Sequence, residues 1–218
     1  MKKQPCKMTD ENMETYMGTK WVIGEWHETS GRGDLCGEGW LHYYDHPLLA
    51  AFLFPVHTIF KNNRLFVIEV GGKVKHDNGT KSGATKIRLL HEITLPTITK
   101  TQRVAFGILC AKKTTANRNF NLWAKHWLEK KDRTARTAAK AEKALKMAAK
   151  AAWEAVMMNE APAGYAAELE AELGKEYAAM AAGKDEEGAA AAAARAAEYA
   201  ATAKRINLLR LAEEAMTY

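Results

Sequence analysis

The sequence is short of the residues that mark several classes of protein. Its three cysteines, Cys6, Cys36 and Cys110, are far apart, odd in number and without a CxxC pair. That argues against a disulfide-framed scaffold and for a reducing compartment, with the cytoplasm as the expected location. There are only five prolines, and no apolar run reaches the ~20 residues that a membrane-spanning helix needs. The opening stretch MKKQPCKMTDENMETY has no apolar segment of the kind a secretory leader carries. GxGxxG and Walker patterns are missing. The glycines Gly31, Gly33, Gly37 and Gly39 precede an expected strand rather than a helix, the wrong order for a phosphate cradle. Lysine and arginine form no dense run, which argues against long-duplex DNA as a partner.

What is present divides the chain in two. Residues 1–133 hold five of the six tryptophans, and 21 Lys+Arg against 13 Asp+Glu. Residues 134–218 are more than a third alanine, with 11 Lys+Arg against 13 Asp+Glu. The expected fold class is α+β: a mixed α/β domain with a mainly antiparallel sheet over 1–133, then an alanine-rich antiparallel helical bundle over 134–218.

Strands are expected at Trp21–Trp26, Trp40–Tyr44 and Leu65–Val70, with a last long one over Ala84–Leu95. Gly71-Gly72 reads as a turn, and Asp77-Asn78-Gly79 as a second hairpin turn, because asparagine and glycine accept positive φ. On the second strand Trp40, His42 and Tyr44 share one face, with Leu41 and Tyr43 on the other. Asp45 is placed to cap a helix from Pro47 that Pro55 stops. Thr99 with Gln102 spells a capping box. Asn117 is placed to cap a helix whose stripe Phe120, Trp123, Ala124 and Trp127 covers the sheet. The tail reads as three helices, 134–158, 165–182 and 185–216, broken at Pro162/Gly164 and at Gly183, with Asp185 opening the third. Alanine faces bury little area per residue, so these helices need one another, the domain or a second copy, and a homo-oligomer is expected.

Chemistry concentrates in Cys36-Gly37-Glu38-Gly39-Trp40-Leu41-His42-Tyr43-Tyr44-Asp45-His46. Cys36, His42 and His46, with His27, are the residue types of a zinc site, but no paired spacing puts them on one metal, so no metal is expected. Cys36 with His42 or His57 and Asp45 lacks any nucleophile signature. A binding surface remains. Trp26, Trp40, His42, Tyr43 and Tyr44 offer rings for stacking on a base. Arg32, Arg64, Lys73, Lys81 and Arg88 offer cations for phosphates. The candidate ligand-binding set is Trp26, His42, Tyr44, His57, Arg64, Lys81 and Arg88. Against it stands the plainer reading in which half of these rings are sheet core and the cations are solvated surface.

The order of residues adds a resemblance. Trp21…Gly24-Glu25, Cys36, Leu41-His42-Tyr43-Tyr44-Asp45-His46-Pro47, Pro55-Val56-His57, Asn63-Arg64-Leu65-Phe66, Lys81-Ser82-Gly83, Gln102-Arg103-Val104-Ala105-Phe106 and Trp123-Ala124…Trp127-Leu128 together resemble a family of tailed-bacteriophage and prophage proteins with an alanine-rich tail. The resemblance implies a phage accessory protein acting in the host cytoplasm. The resemblance brings no known activity with it. Joined to the basic domain, the aromatic–His cluster and the missing catalytic set, it leads to the expectation of non-catalytic counter-defence, by sequestering a nucleotide signal or a host defence protein, without a cofactor. More loosely, a Gly-x-His-aromatic strand followed by a helix is similar to part of an ADP-ribosyltransferase fold. That implies an alternative, an NAD-processing enzyme using His42, Tyr44 and Glu92, with Glu69 the next acid in line. A third possibility is a structural or host-takeover protein working through the helical tail.

Overall fold

The computed structural model describes residues 3–15, 18–57, 60, 62–114, 117–157 and 165–218. The fold is α+β, in two compact units, Met1–Thr97 and Ile98–Tyr218.

The first unit is built on a long hairpin. Strand β6 (Arg64–Asp77) pairs antiparallel with β7 (Lys81–Ile93). Asn78 (φ 45°) and Gly79 (φ 84°) make the turn, and Thr80 N–H donates to Asp77 O at 2.7 Å. Gly71-Gly72 does not turn the chain, as the sequence suggests, but forms a bulge inside β6. Gly71 faces Lys86 and Val74 faces Ala84, so Gly72 and Lys73 together stand opposite Thr85. Gly72 sits at φ 71°, and Lys73 N–H donates to Thr85 Oγ1 at 2.9 Å. A second bulge places Leu90 as the extra residue of β7 between Leu89 and His91. Bulges add twist and bend. Here they accompany a sheet that meets itself.

Short strands complete the sheet. Strand β1 (Cys6–Thr9) pairs with β6, while β4 (Trp26–Glu28) and β5 (Leu41–Tyr43) pair with successive stretches of β7. Cys6 and Tyr44 then exchange backbone hydrogen bonds of 2.8 and 2.9 Å, linking β1 to the end of β5. The ring β1–β6–β7–β5 is thereby closed, and β4 is left as the terminal strand. Trp21, Tyr43, Phe66, Ile68, Ala84, Ile87 and Leu89 form the core cluster. Strands β2 (Glu14–Thr15) and β3 (Thr19–Lys20) make a separate small ribbon.

Three local expectations are corrected here. The run Trp21–Trp26 is not a strand throughout: Gly24 adopts φ 87° and a turn joins Val22 O to Glu25 N–H, so strand geometry begins only at Trp26. Trp40, Tyr43 and Tyr44 are all buried, so the second strand has no exposed aromatic face. Helix α1 (Pro47–His57) runs through Pro55. Leu49 to Phe54 are buried without a gap, and that burial outweighs the ~3 kcal/mol of an internal proline. Its start is marked by His46, whose Nδ1 accepts from Leu48 N–H at 3.2 Å, while Asp45 accepts from Ser82 Oγ and Lys3 Nζ instead.

The second unit comprises α2 (Lys100–Thr114), α3 (Arg118–Leu128), α4 (Ala135–Met157), α5 (Tyr165–Gly183), α6 (Glu186–Ala203) and α7 (Leu208–Ala215). The capping box forms, with Thr99 N–H donating to Gln102 Oε1 at 2.9 Å and Gln102 N–H to Thr99 Oγ1 at 3.2 Å. Asn117 caps α3 and Asp185 caps α6. The expected third tail helix is two, because the chain leaves helical geometry at Lys204 and Asn207 caps α7 through Arg210 N–H at 3.0 Å.

Helix α2 packs on α5, α6 and α7. Val104 to Ala111 are buried on every side of it. Compactness therefore groups α2 and α3 with the alanine-rich helices and sets the division at Thr97/Ile98 rather than at Arg133. The packing is backbone-close: a Cβ on Gly107 would lie 3.2 Å from the Cα of Ala193. The alanine faces of α6 are used inside this unit, where Ala189, Ala193, Ala194, Ala196, Ala197 and Ala200 are buried.

Gly72→Ala is expected to destabilise the protein well beyond Gly79→Ala in urea unfolding. Both put a side chain into left-handed backbone, at a cost of about 1–2 kcal/mol. A Cβ at Gly79 meets open space, but at Gly72 it falls 2.1 Å from Thr85 Oγ1, adding about 1–3 kcal/mol of overpacking. Equal losses would show that the bulge is soft.

Candidate functional site

The outer face around β4 gathers a set of polar and aromatic groups. Cross-strand register aligns Trp26, Arg88 and Glu69 in one row across β4, β7 and β6, and Glu28 with Lys86 in the next. Paired residues share a face of the sheet, so these side chains meet. The Arg88 guanidinium and the Lys86 ammonium each lie 4.8 Å from the Trp26 ring centre. Arg88 is ion-paired to Glu69, and Lys86 to Glu28 at 2.6 Å. The result is an indole plate contacted by two cations, each ion-paired to a carboxylate. In the segment leading into β4 and at the bulge of β7, Val22, Ile23 and Leu90 are apolar and exposed at 46%, 48% and 39%.

The other sequence-derived candidates lie in separate places. Arg64 makes a two-pronged pair with Glu92, Nε to Oε1 at 3.0 Å and Nη2 to Oε2 at 2.5 Å. The pairing raises the guanidinium and holds the Glu92 carboxyl below its usual range. Tyr44 Oη and His57 Nδ1 are 2.7 Å apart with their rings stacked, tying the end of α1 to the ring closure. Lys81 Nζ donates to Cys36 Sγ at 3.2 Å. His42 Nε2 is bonded to Leu35 O, and burial, with Lys7 and Lys81 nearby, lowers its basicity despite that bond.

His42 and Glu92 do not share a reaction centre. His42 faces Gly83 on β7, and Glu92 is nine residues further along that strand, roughly 30 Å at the rise of a strand. The residue types of a zinc site are also dispersed. His27 stacks on Trp21, His46 starts α1, and Cys36 meets Lys81. Among the described residues no three His, Cys, Asp or Glu side chains are grouped for a metal. The thiols of Cys6, pushed up to about 12 by burial, and of Cys110, raised well above its ordinary value for the same reason, are held as inert core groups.

Sequence reasoning passed over Lys86 and Glu28 at the Trp26 face, and it also passed over Lys7. Lys7 faces Phe66 across β1 and β6, and points into the closed ring. It is 6% exposed, donates to His42 O at 2.7 Å, and lies 4.6 Å from the Trp21 ring centre. Burial lowers its pKa to about 7. The only signal in the sequence is a lysine between Cys6 and Met8, which a half-buried strand explains equally well.

Residues 4–101 match the model of a domain of unknown function, DUF7666. The match spans the sheet unit almost completely and ends two residues into α2. No curated protein and no solved structure matches the chain. Among the described residues no helix is long and apolar enough to cross a membrane.

Lys7 makes stability depend on pH with a definite sign. In the unfolded chain the amine keeps its proton up to about 10.5, and in the folded chain only up to about 7. Between those values the unfolded state binds the extra proton, so the Lys7 contribution to stability rises as pH rises. Below pH 7 the penalty is fully present. Lys7→Met should stabilise the protein most at and below neutral pH and flatten the slope of urea midpoint against pH from 7 to 10. An unchanged slope would show that Lys7 is solvated.

Proposed function

We propose that this chain is a non-catalytic binding protein whose sheet unit takes a nucleotide-like anion on the outer face around Trp26. The observation that carries this is the placement of the Lys86 and Arg88 cations against the Trp26 ring. Base stacking needs an aromatic plate, and phosphate recognition needs cations beside it. Glu28 and Glu69 hold those cations in position. Exposed pairs of this kind are worth about 0–1 kcal/mol, so a phosphate displaces the carboxylates at small cost. In the setting of a bacteriophage accessory protein, holding such a ligand withdraws a nucleotide signal from host defence. The dispersal of His42 and Glu92 weighs against the NAD-processing alternative.

A protein partner is the second reading, favoured by the exposed apolar side chains of Val22, Ile23 and Leu90. A tryptophan on the terminal strand, against an arginine of the strand it pairs with, suits a protein hot spot as well.

Titration with mono- and cyclic dinucleotides, followed by tryptophan fluorescence, tests the first reading. Trp26→Ala should weaken binding by about tenfold, matching the 1–3 kcal/mol of a stacked base. Arg88→Gln should weaken it and lower its salt dependence. If no nucleotide binds, or if Trp26→Ala binds as well as the native chain, the nucleotide reading fails. Capture of a partner that Ile23→Asp abolishes would then favour the second.

A further inference from the structure

The excess positive charge of the chain sits in one stretch. Residues 98–150 carry 14 Lys+Arg against three Asp+Glu, while residues 1–97 carry 12 against 11 and residues 151–218 six against 12. Part of that excess is drawn into a line on α4. Ala138, Leu145 and Ala149 are buried and share one side of this helix, which packs on α5. At 100° per residue, Arg136, Lys140, Lys143 and Lys150 fall on the opposite side, and all four are exposed. They form no run along the chain, because helical spacing sets them three, four and seven residues apart. Only the folded helix lines them up.

Two observations separate this line from an ordinary solvated face. The first is its sign. Water-facing surfaces usually intersperse acids with bases. Between Arg136 and Lys150 the one acid is Glu142, half-buried on the flank where Lys146 and the Glu176 carboxyl of α5 also stand. Among the described residues Arg136, Lys140 and Lys143 have no acidic partner, and Lys150 has the exposed Glu154 at 3.6 Å. The second is its cost. Arg136/Lys140 and Lys140/Lys143 are like charges at four and three residues, a spacing that opposes helix formation. Nothing on that side of the helix relieves the repulsion, and an anion laid along the line would.

We infer that the outward face of α4 is a docking surface for the phosphate backbone of duplex DNA, held without regard to base sequence. Arg136 to Lys150 spans about 21 Å. Over that length a duplex carries about a dozen phosphates on its two strands, enough for a straight helix to give each cation one. The face has no asparagine or glutamine, the amide side chains that read base edges. A single strand calls for an aromatic platform, and no aromatic residue stands between Arg136 and Lys150. A membrane surface calls for several apolar side chains beside the cations, and between Arg136 and Lys150 Met147 is the one large apolar residue turned outward. This surface is independent of the Trp26 face.

Fluorescence anisotropy of a labelled 20-base-pair duplex of mixed sequence, titrated with the full chain, tests this. At 50 mM salt the dissociation constant should fall between about 1 and 100 μM. It should rise about a hundredfold by 200 mM salt, because four phosphate contacts give a logarithmic slope of about −3.6. Lys140→Gln, Lys143→Gln and Lys150→Gln combined should bring the slope to about −1 and weaken binding about tenfold or more, with helix content intact. Lys184→Gln, Lys204→Gln and Arg205→Gln combined remove the same charge from exposed positions elsewhere in the unit, and should leave the affinity within about twofold. Trp26→Ala should bind as the native chain does. No saturable change at about 200 μM chain overturns the proposal. So do equal losses in the two triple variants, tighter binding of the single strand alone, or a preference for vesicles containing phosphatidylserine over the duplex.

Discussion

A hairpin as long as β6–β7 cannot lie flat and also bring both of its flanks together. The bulges at Gly72-Lys73 and at Leu90 resolve this by adding twist within the paired region. On one flank β1 docks to β6, on the other β5 docks to β7, and the two short strands meet through Cys6 and Tyr44. Closure satisfies the backbone of β1 at its start and creates an interior small enough for one core cluster. It also forces a choice on position 7. A side chain there must point inward, and the chain carries a lysine, stabilised by one carbonyl and one indole rather than by a carboxylate. The same closure leaves β4 as the terminal strand, and the outer face with its Trp26 plate lies beside that edge.

The helical unit solves a different problem with different material. Its helices have too few large apolar side chains to be held by bulk burial alone. Glycine and alanine compensate by letting backbones approach, so that many weak dispersion contacts accumulate along α2, α5 and α6. The large side chains concentrate on α2, α3 and α7, where Phe106, Ile108, Phe120, Trp127, Leu208 and Leu211 are buried.

Features encoded by a few adjacent residues were legible in the sequence. The Asn78-Gly79 turn, the Thr99/Gln102 box and the Asn117 cap all depend on chemistry within four residues. Features that depend on distant partners were not. Nothing local to Gly71-Gly72 distinguishes a turn from a bulge, since both need positive φ, and only pairing with Thr85 decides. Pro55 ends a helix by local rule, but the enclosure of Leu49–Phe54 overrides it. The division at Arg133 followed the change in composition, which does not reveal that α2, buried from Val104 to Ala111, packs on the alanine-rich helices. At the outer face, Trp26 and Arg88 were singled out separately from an aromatic and a cation count. Their contact, and the roles of Lys86, Glu28 and Glu69, follow from strand register, which composition does not carry. His42, Tyr44 and Glu92 were grouped by the likeness to an ADP-ribosyltransferase fold, and register places Glu92 far along β7 from His42.

The approach of Gly107 to Ala193 also bears on how this sequence can change. A position with no room for one methyl group accepts almost no substitution, while the outward face of α6, which carries Arg195 and Glu198, accepts nearly any polar residue. Drift along α6 is therefore channelled: its outward charges are free to be rewritten, and its inward alanines are not. Low complexity here records a steric filter rather than a lack of structure, and a diverged sequence would keep its alanine spacing after its surface had become unrecognisable.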